Sequence, residues 1–80
     1  MQDMSIAEYS ALDRERCSAF TTTLIALYKA YEAGRISHIR RKEIERQLRA
    51  DFGDVYRPER IKGFIAWTEK IRKELDHDAE

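Results

Sequence analysis

The sequence predicts an all-α fold, a small three-helix bundle with a long first helix, and three observations carry that expectation. Charged residues make up 38% of the 80-residue chain and are mixed in sign, and the chain holds only three glycines and one proline. That is the composition of a helical soluble protein. Apolar residues recur at three- and four-residue spacing in three separate stretches, around 20–33, 44–52 and 61–75, which is the period of a helix with one buried face. Gly34, Gly53 and Pro58 punctuate the gaps between those stretches, as helix ends and starts require.

The first helix is expected over about 5–33. Ser5 with Glu8 three residues on fits a capping box, in which the hydroxyl and the carboxylate each satisfy a free backbone N–H. The run from Phe20 to Gly34 is the longest nearly uncharged stretch of the chain, and on a helical wheel it carries two stripes. Phe20, Leu24, Leu27, Tyr28 and Tyr31 form one, expected to supply the core. Ala19, Ala26, Ala30 and Ala33 form the other, whose short side chains let a second backbone approach closely. Thr21, Thr22 and Thr23 are mildly unfavourable in a helix because of β-branching. The helical period on either side outweighs them. Traced backwards, the first stripe takes in Cys17, Tyr9 and Ile6, but also Asp13, so the helix is expected to fray or bend near 10–13, with Asp13 as a cap. Gly34 stops it, being the residue that enters the left-handed region without strain.

The second helix is expected over about 37–52, capped by Ser37 and stopped at Gly53, with Ile44, Leu48 and Phe52 as a narrow core stripe. Ile36 and Ile39 should close the corner with the first helix. Proline disfavours a helical Arg57 and suits the first turn of a new helix, so the third helix runs about 58–76. Ile61, Phe64, Ile65, Thr68, Ile71 and Leu75 are its apolar stripe, with Trp67 at the edge. Its polar face should pair internally, Glu69 with Lys73, Lys70 with Glu74 and Arg72 with Asp76. Val55 and Tyr56 should plug the preceding corner, and the acidic tail 77–80 should fray.

Composition also bounds function. Eighty residues form one domain at most and bury only about 60% of the surface their unfolded chain exposes, so completion by a second copy is expected, across the first or third helix. The formal net charge is zero, which removes any global attraction to nucleic acid or anionic membranes. Cys17 is the one cysteine, so a disulfide within the chain and a cysteine metal cluster are both excluded. A reducing cytoplasm is the natural compartment, and neither a leader nor a membrane span is read from the residues. No second ligand stands at metal spacing from His38 or His77. No base accompanies Cys17. Catalysis, metal and cofactor are therefore not expected.

Charge is distributed unevenly along the chain. Residues 1–34 hold three basic and five acidic side chains, 35–62 nine and five, and 63–80 three and five. The middle thus carries +4 and each end −2. Lys42, Arg46 and Arg49 point away from Ile44 and Leu48 on the wheel, Arg40 and Arg41 stand at the margins, and Arg35 lies just upstream. Such a face can hold an acidic protein surface or phosphates, although Glu45 is within reach of Arg41 and Arg49 and would pair part of it. Tyr56 and Trp67 are candidate interface aromatics. The function expected is a non-enzymatic protein-binding module, such as a regulator, adaptor or inhibitor, using Arg35, Arg40, Lys42, Arg46 and Arg49. The alternative is a dimeric nucleic-acid-binding regulator using the same face. A helix-turn-helix version with Arg57, Arg60 and Lys62 on the reading helix is disfavoured by the long connection and the neutral pI.

Overall fold

The computed structural model describes residues 4–53 and 57–77, so Val55, Tyr56 and the tail beyond His77 lie outside the described residues. Three helices account for the architecture, α1 (Ile6–Glu32), α2 (His38–Gly53) and α3 (Pro58–His77). Among the described residues there is no strand, and the threonine run is helical throughout. The N-terminal half of α1 shares a core cluster with the far end of α2 and the start of α3, through Leu12, Ala19, Leu48, Ile61 and Phe64. Its C-terminal half shares another with Ile44, Ile71 and Leu75. The helices therefore run up, down and up.

Local chemistry sets the ends. The Ser5 hydroxyl accepts from the Glu8 amide at 3.1 Å while the Glu8 carboxylate accepts from the Ser5 amide at 3.0 Å, which answers two free N–H groups at once. At the other end of α1, Gly34 takes φ +77°. The Gly34 amide then donates to the Tyr31 carbonyl and the Arg35 amide to the Ala30 carbonyl, the paired closure of a Schellman motif. Ser37 caps α2 by accepting from the Arg40 amide at 3.0 Å. Gly53, in contrast, is the last residue of α2 and keeps an ordinary φ.

The buried line of α1 differs from the expected one. Leu12, Ala19, Thr23, Leu27 and Ala30 are buried, whereas Phe20 and Leu24 are half-buried and Tyr28 and Tyr31 are each 37% exposed. Ile6 is 86% exposed and Cys17 is exposed too. The reason is the placement of the neighbours. α3 lies against the alanine side of α1 and α2 against the aromatic side, so the line between the two stripes becomes the centre. Of the alanine ridge, Ala19 and Ala30 are thereby buried within the chain, Ala26 is half-buried and Ala33 stays exposed.

α1 is also continuous through Asp13, which caps nothing. Its carboxylate accepts from Arg16 Nε at 2.8 Å and pairs with Nη2 at 2.8 Å. So held, Arg16 donates to the Phe52 carbonyl at 2.8 Å and stacks its guanidinium over the Phe52 ring, 4.3 Å from the centroid. A charged donor from α1 thus answers an end carbonyl of α2, one of those a helix cannot satisfy itself. Arg72 is likewise diverted, donating across to the buried Thr23 hydroxyl at 2.6 Å. Among the described residues none of the three expected pairs along α3 forms, and Glu74 instead approaches Arg40 of α2 at 3.7 Å.

Two stability predictions follow from this packing. Arg16→Met keeps the apolar stem but strands the Phe52 carbonyl, and should cost about 1–2 kcal/mol in urea unfolding; an unchanged midpoint would show that the bridge does not matter. Gly63 sits exposed inside α3 with nothing within 4 Å of where a Cβ would lie. Gly63→Ala should therefore stabilise by about 0.5–1 kcal/mol, seen as a melting temperature raised by several degrees in a thermal circular-dichroism scan.

Candidate functional site: the outer face of α2

α2 presents one side to α1 and the opposite side to water, and Glu45 sits on the boundary. Its Oε1 accepts from the Tyr28 hydroxyl at 2.7 Å and from Arg41 Nη1 at 2.7 Å. Its Oε2 accepts from Arg49 Nε at 3.1 Å and Nη2 at 3.0 Å. Arg41 also donates to the Tyr28 oxygen at 3.0 Å and from Nη2 to His38 Nδ1 at 3.3 Å. Its guanidinium stands 5.2 Å from the Tyr28 ring centre and 5.0 Å from that of Tyr31. This carboxylate therefore ties α2 to α1, and the exposed tyrosines of α1 act as a polar and cation–π dock rather than as core.

The expected cationic face is divided by this arrangement. Arg41 is turned inward, its side chain 13% exposed, and Arg49 shares Glu45. Arg40 stands 3.7 Å from both Glu43 and Glu74 and lines a groove toward α3. Arg35 lies apart, half-buried beside Thr22, Ile25, Lys29 and Asp76, so the structure does not bring it to the other four. Lys42 and Arg46 remain exposed and, among the described residues, without an ion pair or hydrogen bond. They border a shallow depression of about 240 Å³ with Arg41, Glu45 and Arg49.

Sequence reasoning missed Ile39. Expected at the corner, it is 70% exposed, and it stands three and seven residues before Lys42 and Arg46, hence on one stripe with them. Ile36 takes the corner, half-buried against the lower core cluster. The signal was in the wheel, because Ile39 lies nearly opposite Leu48. Trp67 is half-buried in α3, touches both core clusters and edges the α2–α3 groove. The other candidate aromatic, Tyr56, is outside the described residues.

Among the described residues, two groups titrate away from their usual ranges. The hydrogen bond from Tyr28, ahead of the Arg49 and Arg41 charges, holds the Glu45 carboxyl below its ordinary 4.5. The bond to Glu45, then loss of water, raises the Tyr28 hydroxyl above its ordinary 10.0. A lowered carboxyl stabilises the fold above its unfolded value and loses that contribution as pH falls through the folded one. A raised phenol stabilises below its unfolded value and loses it as pH rises through the folded one. Tyr28→Phe should consequently be less stable than the parent at neutral pH, with the gap narrowing both at acid pH and above pH 10. Denaturant titrations across that range check it, and a gap independent of pH would contradict the linkage.

No protein-family model, curated protein sequence or solved structure matches this chain, so what it does has to be read from the surface just described.

Proposed function

We propose that the chain is a non-enzymatic protein-binding module whose α2 stripe, Ile39, Lys42 and Arg46 with Arg49 alongside, receives an acidic segment of a partner protein. The observation that carries this reading is the exposed isoleucine in the cationic row. A phosphate backbone has no use for it, whereas a protein surface offering carboxylates beside an apolar side chain engages both halves of the stripe. Four basic groups and one acid around one depression give a local positive field on a chain of zero net charge, which suits steering toward a local acidic patch.

Binding is favoured over catalysis by the direction of the two shifted groups. Glu45 is lowered from its ordinary 4.5 and Tyr28 raised from its ordinary 10.0, both away from the near-neutral range in which a general acid or base works. Among the described residues no helix is long and apolar enough to cross a membrane, and the lone thiol suits the reducing cytoplasm.

Lys42→Glu with Arg46→Glu, and separately Ile39→Asp, tests the proposal, since none of these residues is buried. Each should leave the melting temperature within a few degrees of the parent and reduce by tenfold or more, about 1.4 kcal/mol, the retention of whatever partner the tagged parent captures from its host. Reversal of the exposed Lys62 and Lys73 on α3 should leave that capture intact. Equal capture by all variants sinks the reading. Two unpaired cations predict a salt slope for duplex DNA of only about −2 and no retention at physiological salt. Steep, tight DNA binding would instead promote a nucleic-acid-binding regulator.

A further inference from the structure

α2 and α3 both pack on α1 but meet each other little, and the seam between them opens into a groove of about 420 Å³. Its floor is Ile44, Ile71 and the edge of Trp67. Past Trp67 it continues into a depression of about 260 Å³ beside Gly63 and Phe64. We propose that this groove is a contact surface for a second copy of the chain, closed about a two-fold axis passing near Trp67.

The rim decides the occupant. α2 contributes Arg40 and Glu43 to it, and α3 contributes Lys70 and Glu74, two charges of each sign. A two-fold contact lays a surface on itself, so a rim with balanced signs can face itself with opposite charges paired. A strongly acidic or strongly basic partner would set half of its charges against like ones. The rim is also free to re-pair. Arg40 stands 3.7 Å from each of its two acids, too far for a good hydrogen bond, and Lys70 has no ion pair among the described residues. Zero net charge adds no long-range repulsion between copies. Two antiparallel α2–α3 pairs laid face to face form a four-helix arrangement, with the Trp67 of each copy near its centre and a polar rim around them, the anatomy of a binding hot spot. The stripe of Ile39, Lys42 and Arg46 lies on a different side of α2, so this surface does not depend on the function proposed for that stripe.

Sedimentation equilibrium on the full chain tests the inference. The expected mass is twice the chain's 9.5 kDa at roughly 100 µM, an ordinary working range for a standard-size contact. Trp67 is the one tryptophan, and its emission should shift to the blue over the same concentrations as the groove loses water. Arg40→Glu with Lys70→Glu makes the rim wholly acidic, and Glu43→Lys with Glu74→Lys makes it wholly basic. Each variant alone should sediment as a monomer, and an equimolar mixture should recover the dimer. Lys70→Glu alone, at an exposed position, should weaken dimerisation at least about tenfold, which keeps the test decisive should a double variant fail to fold. A parent that stays monomeric at the highest concentration overturns the inference, as does a dimer that survives every one of these changes.

Discussion

Small side chains at Ala19, Thr23 and Ala30 set how closely α3 can lie on α1, and the rest of the molecule follows from that approach. With three short residues on the buried line, α3 reaches close to the α1 backbone and takes over the alanine side. α2 is left with the side that carries Phe20, Leu24, Tyr28 and Tyr31, whose bulk keeps it at the distance of an aromatic layer. Phe20 and Phe52 stack there with ring centres 4.3 Å apart. Two side chains of α1 then hold α2 by polar contacts, Arg16 at its last turn and Tyr28 near its middle. Between α2 and α3 the Arg40–Glu74 approach is long, at 3.7 Å, and the seam between them stays open.

The fold class, the Ser5 and Ser37 caps and the left-handed Gly34 were legible because each rests on neighbours in sequence. A capping box spans four residues, and a Schellman closure six. The buried line of α1 was not legible, since the helix carries two adjacent stripes of apolar residues and the wheel alone cannot say that two partners will flank them. Thr23 illustrates the gap. As a β-branched polar residue outside both apolar stripes it had no place in the expected core, yet it is fully buried, and Arg72, forty-nine positions away, supplies a donor to its hydroxyl. Asp13 is the converse case. A lone acid on an apolar stripe reads as an interruption, and only the distant Phe52 carbonyl gives its arginine partner a purpose.

The same limit governs the candidate site. Summing charges along 35–62 treats cations as equivalent, whereas the fold sorts them by what lies across from each. Arg41 and Arg49 answer Glu45, Arg40 faces Glu43 and Glu74, and Arg35 belongs to another corner. Glu45 could be recognised from spacing as a partner for both arginines, but not Tyr28, which is seventeen residues away and supplies the leading cause of its shift.

That sorting separates structural cations from those available to a partner. Glu45 receives four donors across both oxygens, a full complement for a carboxylate, so it has no hydrogen-bonding capacity left for Lys42 or Arg46. A lone carboxylate on a crowded basic face would usually be shared among its neighbours and blur the local field. Here one tyrosine and two arginines saturate it, a cluster that keeps one positive charge in excess, and Lys42 and Arg46 stand outside that pairing. The residues that anchor α2 and the residues that present charge to solvent are thus different residues on one helix. A partner can engage the second set without loosening the first.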